Sequence, residues 1–196
     1  MCWRTQKGFT LAEVLASIFL LAIGLVGAAG MQLQAMRTAQ QSAFHTVALS
    51  LAAEMADMMR MTLSSDNSQA LIEQYLQVDF SSGKRSMRGA PNCYRMPCDT
   101  AQLVEFEIEQ WTQRIEASLP GARAKVCVDT QPWSVDTGQS DWLCRSPVAR
   151  KGKEHGAIVL KIGWHDKAAL LNGAAMGKPM QEFPPLLVMT VAPYVR

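Results

Sequence analysis

The sequence predicts an α+β protein in which one long N-terminal helix covers a small antiparallel sheet, with short additional helices beside it. Three observations predict this. The run Val14 to Met31 holds eighteen residues without a charge, and no proline interrupts the chain before Pro91. Apolar residues at Val104, Ile108, Trp111, Ile115 and Leu119 recur every three or four positions, as on one face of a helix. Beyond Gly121 the apolar period changes to two, as on one face of a strand.

At 196 residues the chain is long enough for one domain with an appended helix. Its charged fraction, 18%, lies below the roughly 25% usual for soluble domains, and the deficit is concentrated at the N-terminus. Nineteen basic against seventeen acidic side chains give a net charge of +2. That balance excludes both an acidic disordered tail and a strongly basic binder of nucleic acid.

As a helix, the run Val14 to Met31 covers roughly 27 Å, close to the approximately 30 Å hydrocarbon layer of a bilayer. Arg4 and Lys7 precede it and only Arg37 follows closely, so the N-terminus is expected in the cytoplasm and the rest of the chain on the far side. A secretory signal peptide begins similarly, but the run ends in AAGMQLQAMR, which lacks the turn-like region where such a peptide is cut. Cleavage ahead of the run fits better. Glu13 stands at the mouth of the run, and a carboxylate at mid-membrane costs on the order of 3 kcal/mol. Thr10 followed three residues later by Glu13 also reads as a capping box, which places that carboxylate near the interface.

Beyond Met31 the pattern becomes amphipathic. Phe44, Val47, Leu51, Met55, Met58 and Thr62 share one face, while Gln40, Gln41, Glu54, Asp57 and Arg60 take others, so one helix is expected from about Thr10 to Leu63. Met55, Met58, Met59 and Met61 read as core packing rather than an adaptable binding groove. The cluster Ser64 to Ser68 ends the helix, and Gln69 to Leu76 reads as a second, short one capped by Asn67 or Ser68. The stretch Ser81 to Pro97 is a loop carrying Lys84, Arg85, Arg88 and Arg95, which read as a solvated surface. Asp99 and Gln102 open the third helix, which Pro120-Gly121 closes. Strands are expected at Ala122 to Asp129, Ala157 to Trp164 and Leu186 to Ala192, the last ended by Pro193.

No catalytic constellation emerges. Glu105, Glu107 and Glu109 lie on the outer faces of the third helix with no second acidic motif to oppose them, unlike the paired carboxylates of a glycosidase. His45, His155 and His165 are scattered, and the His165-Asp166 neighbour pair lacks a nucleophile in a recognisable turn. The chain contains no phosphate-binding loop and no dinucleotide fingerprint. No enzyme, cofactor, metal or small-molecule substrate is expected.

The string Lys7-Gly8-Phe9-Thr10-Leu11-Ala12-Glu13 behind a short basic leader resembles the processing site of type IV prepilins and pseudopilins, with Ala12 a mild departure from the usual larger apolar residue. The resemblance implies cutting by a prepilin peptidase between Gly8 and Phe9, N-methylation of Phe9, and retention of Glu13 for assembly. It also implies the type IV pilin fold and a division into leader 1–8, membrane or fibre-core half-helix 9–31, amphipathic half-helix 32–63 and periplasmic globular domain 64–196. The physics is consistent with the likeness. A new amine on Phe9, four residues before Glu13, gives the carboxylate a counter-ion about one helical turn away. In a fibre a neighbouring subunit supplies that amine, and Glu13 then sets axial register as a buried polar group does in a coiled coil. Losing Arg4 and Lys7 leaves seventeen basic against seventeen acidic side chains.

The third helix with Trp111, Leu119-Pro120-Gly121, a cysteine-bearing strand and an Ile162-Gly163-Trp164 strand together resemble the minor pilins of the PilV type, the type IV pilus modification proteins. That likeness implies a subunit that helps prime pilus assembly with other minor pilins and the major pilin, leaves inner-membrane lipid for the fibre, and supports adhesion and twitching motility. A minor pseudopilin of a type II secretion system shares every motif used here. A membrane-tethered periplasmic enzyme or binding module is the rival from another class.

With Cys2 removed in the leader, Cys93, Cys98, Cys127 and Cys144 remain in a part of the chain expected to face an oxidising compartment. Three pairings are open to four thiols. Cys93 with Cys98 and Cys127 with Cys144 is the favoured one, because each bond closes a local loop. The spacings resemble no compact zinc knuckle.

Overall fold

A computed structural model describes residues 8–64, 68–84, 89, 91–135, 138–145, 148–150, 153–165 and 184–195. Arg4 and Lys7 of the leader, the Asn67 cap, Arg85, Arg88 and Asp166 lie outside the described residues. The chain is α+β, with a long N-terminal helix, an antiparallel sheet and two shorter helices, an arrangement consistent with the type IV pilin fold. It divides into two compact units, Met1–Ala43 and Phe44–Arg196.

In the first unit, helix α1 (Leu11–Leu63) begins and its side chains are exposed throughout. Two hydroxyls along it turn back on the helix. Ser17 Oγ donates to the Glu13 carbonyl at 2.7 Å and Thr38 Oγ1 to the Gln34 carbonyl at 3.1 Å, each four residues back.

The second unit has its own core. The remainder of α1 buries Ala48, Leu51, Ala52, Met55, Ala56 and Met59, while Phe44, Val47 and Met58 are half-buried flanks and Met61 is exposed. The buried face is therefore rotated from the expected Phe44 to Thr62 stripe, because three alanines occupy its centre. Alanine contributes little apolar area but lets a neighbour reach the helix backbone. Trp111 does so, donating from Nε1 to the Leu51 carbonyl at 2.8 Å.

Helix α2 (Ser68–Tyr75) adds Leu71, Ile72 and Tyr75 to the same core. Helix α3 (Thr100–Ser118) opens on a reciprocal capping box. The Gln102 amide donates to Asp99 Oδ1 at 2.8 Å, and the Asp99 amide to Gln102 Oε1 at 3.1 Å, so two otherwise unpaired helix-end groups are satisfied. Val104, Trp111, Ile115 and, just beyond the helix, Leu119 are buried, with Ile108 packed partly against them. Gly121 then reverses the chain at a φ of 57°, where a side chain would meet the His165 ring.

Among the described residues the sheet has five strands: β1 (Asp79–Ser81), β2 (Arg123–Asp129), β3 (Val148–Arg150), β4 (Lys153–Gly163) and β5 (Leu187–Val195). All pairings are antiparallel, and β4 is central, pairing with β2, β3 and β5. The short strands β1 and β3 were not foreseen, and β4 starts earlier than expected because β3 extends its hairpin. Nor does Pro193 end β5. Its Cα is paired with Ala157, and the strand runs on to Val195. Among the described residues β5 pairs only with β4, so a missing N–H on its outer side breaks no ladder bond. The irregular alternation of β5 has a physical cause, a register shift opposite Ile158 and Val159.

Both sheet faces are covered. Ala124 and Val126 of β2 with Ile158, Leu160 and Ile162 of β4 belong to the core shared with the helices. By strand alternation Arg123, Cys127 and Asp129 with Val159, Lys161 and Gly163 take the opposite face. There the segment after β2 lies against them. Trp142 is close enough to Gly163 that an added Cβ would stand 2.8 Å from its ring, and the Arg123 guanidinium sits 4.4 Å from the Trp142 ring centroid.

Candidate functional site

The residues singled out at the N-terminus are placed as follows. Gly8, Phe9 and Thr10 precede α1, and the Phe9 ring is 83% exposed. The Thr10 carbonyl accepts the Glu13 and Val14 amides at 3.1 and 3.2 Å, and its hydroxyl oxygen accepts the Glu13 amide at 3.4 Å. Thr10 thus starts the helix. Glu13 lies exposed in the first turn, where the helix dipole favours a negative charge. It is the only ionisable side chain from Leu11 to Met36. Phe9 stands two residues ahead of the helix, so the one-turn spacing of a Phe9 amine and Glu13 requires the helix to extend backward. The apolar window is long enough to cross a membrane by length and composition, and none of it is buried.

A second constellation lies on the outer sheet face. Cys93 is bonded to Cys98 and Cys127 to Cys144, with Cα atoms 5.5 and 6.2 Å apart. The first bond closes the turn before α3, where Tyr94 packs edge-on against Phe106 at 4.9 Å. The second closes the segment that covers β2 and β4. Beneath that segment lies Lys161, fully buried, whose ammonium donates to Asp129 Oδ2 at 2.7 Å and to the Asp141 and Leu143 carbonyls at 2.9 and 2.6 Å. All three N–H bonds of the ammonium have acceptors. Asp129 Oδ1 in turn accepts the Gln131 and Arg145 amides at 2.9 and 3.2 Å. Burial alone would raise the Asp129 pKa, but hydrogen bonds from Lys161, Gln131 and Arg145, together with the Lys161 charge, bring it below the ordinary 3.8. Arg145 adds a pair to Asp141 at 2.8 Å and a bond to the Gln131 carbonyl at 2.9 Å.

Sequence reasoning missed Lys161 and Asp129. The signal was a lysine set in Ile-Val-Leu-Lys-Ile, where burial on both faces demands a partner for it. The partner is 32 residues away in sequence, so spacing could not supply it.

Among the described residues the other ionisable candidates do not converge. Glu105, Glu107 and Glu109 are half-buried rather than fully solvated, and burial raises the Glu107 pKa above its ordinary 4.5. Tyr75 is also raised, chiefly by burial, with the Glu107 charge adding to it. His45 packs edge-on against Trp164 at 4.8 Å, and the His165 ring lies against Gly121.

Residues 3–29 match the family model described as the prokaryotic N-terminal methylation motif. The match supports a pilin-like or pseudopilin-like protein processed by a prepilin peptidase, a structural role, and membrane anchoring through the N-terminal helix. No curated protein and no solved structure matches the chain.

Proposed function

We propose that the chain is a minor subunit of the type IV pilus, of the PilV type, that helps prime assembly and is built into the fibre. The prepilin peptidase cuts between Gly8 and Phe9, and Phe9 is methylated. Residues 9–31 then hold the subunit in the inner membrane, with 32–63 continuing the helix and 64–196 in the periplasm. During assembly the apolar helix exchanges lipid for the helices of the major pilin and other minor pilins, and Glu13 sets the register against a neighbour's amine. Adhesion and twitching follow from fibre extension.

The observation that supports this reading is the methylation motif at residues 3–29, joined to a helix whose apolar window has no buried surface of its own. A lone carboxylate in that surface needs a cation, and proteolysis supplies one. Intact-mass measurement on protein extracted from membranes tests it. Loss of residues 1–8 with gain of one methyl group is expected, whereas a mass that retains the leader points to a plain tether. Glu13→Ala is expected to insert in the membrane but to be missing from sheared fibres. Deleting the protein is expected to reduce piliation; loss of exoprotein release with pili intact would assign it to a type II secretion system instead.

A further inference from the structure

The acceptors of the Lys161 ammonium flank the two cysteines of the longer disulfide. Asp129 stands two residues after Cys127, and Leu143 directly precedes Cys144. Cys127 and Asp129 point to the same sheet face by strand alternation. The second Asp129 oxygen binds amides at both ends of the same segment, Gln131 and Arg145, and the Thr130 amide donates to the Arg145 carbonyl at 3.2 Å. One buried ion pair on the sheet therefore gathers both ends of the loop that the disulfide closes, through contacts that involve no sulfur.

We propose that Lys161 is a positioning residue for oxidation: its latch to Asp129, Asp141 and Leu143 brings Cys144 to Cys127 before any covalent bond exists, and so selects Cys144 over a free Cys98 as the partner of Cys127. Cys93 and Cys98, five residues apart, pair readily by themselves, but when Cys98 is unpaired chain statistics choose poorly between it and Cys144 as the partner of Cys127. Cys144 lies 17 residues after Cys127. Cys98 lies about 29 residues before it, and loop-closure entropy favours the shorter loop only about twofold. The latch supplies the missing selectivity by raising the local concentration of one thiol around the other.

The chemistry is thiol–disulfide exchange with a disulfide oxidant. One cysteine thiolate attacks the oxidant's sulfur and expels one oxidant thiolate, forming a mixed disulfide. The second cysteine thiolate then attacks the protein sulfur of that bond and expels the other. Two protein thiols are oxidised, one oxidant disulfide is reduced to two thiols, and the two protons pass to those thiols. Only the second displacement depends on where the loop sits, and that is the step the latch accelerates.

The test uses the full chain in detergent with Cys2→Ser and Cys93→Ser, which leaves Cys98, Cys127 and Cys144 to compete, reduced under denaturing conditions and reoxidised in native buffer with oxidised glutathione, with the bonds read by peptide mapping. With Lys161 in place this three-thiol chain is expected to favour Cys127–Cys144 over Cys98–Cys127 by about tenfold or more. Lys161→Met is expected to fall toward the statistical preference of about twofold. A second measurement needs no folded Lys161 variant. In Cys127→Ser/Cys144→Ser, the Gln131 and Arg145 amides are expected to stay protected from hydrogen exchange by about tenfold or more over an unfolded chain. Undiminished selectivity in Lys161→Met, or unprotected amides in the double serine variant, overturns the proposal. It stands or falls independently of the assembly role, since neither readout involves a fibre.

Discussion

A lysine with no exposed surface is tolerated where each N–H bond of its ammonium has an acceptor and one acceptor carries the opposite charge, and Lys161 meets both conditions. Removing one member of such a pair strands the other. Lys161→Met is therefore expected to lose about 3–5 kcal/mol in denaturant unfolding, whereas Asp129→Leu/Lys161→Met is expected to recover much of that loss. The pair also sets a pH signature. The Asp129 pKa is lower in the folded chain than in the unfolded one, so its contribution is fully present above the ordinary 3.8 and is lost as pH falls through the lower folded value. Thermal melts should show wild type and Asp129→Asn differing by a constant amount at neutral pH. The difference should shrink only below about pH 3.8.

At the scale of elements, α3 was legible because its information is local. Asp99 and Gln102 are three residues apart and form the capping box, and the Val104 to Leu119 stripe faces the core. The helical extent of α1 was equally readable, but its buried face was misplaced, since Ala48, Ala52 and Ala56 do not announce themselves as core. Strand β5 was cut short by giving Pro193 its mid-sheet meaning, when the position lies on a strand paired on one side only among the described residues. The partners of Lys161 are set by the register of β2 on β4 and the path of the loop, neither of which periodicity encodes. One further expectation belongs to α3. The Glu107 pKa is raised, so ionising it costs the folded state, beginning above the ordinary 4.5. Glu107→Gln is expected to raise the melting temperature at neutral pH and to leave it unchanged well below pH 4.5, a contrast two melts resolve.

For the whole molecule, the division at Ala43 and Phe44 separates two kinds of chain. Among the described residues every buried core side chain belongs to the unit from Phe44 onward, while the apolar side chains in the helical part of the first unit are exposed. A chain truncated to begin at Arg37 is expected to remain soluble without detergent and to melt within a few degrees of the full-length protein, because none of the described residues it removes is buried. Circular dichroism melts of the two forms check this. In the sequence, the motif matched at residues 3–29 was recognisable through the short string that holds Gly8, Phe9 and Glu13. The constellation on the outer sheet face was only half visible, through its cysteines.

The bond between Cys127 and Cys144 has a mechanical consequence. Tension on the two ends of the chain passes through the sulfur bridge and bypasses the backbone between them. Roughly 60 Å of contour length, at about 3.5 Å per residue over a separation of 17, is thereby withheld from stretching. A subunit pulled while a filament bears load would yield in its strands before it could pay out that segment, and only a reductant would release the slack.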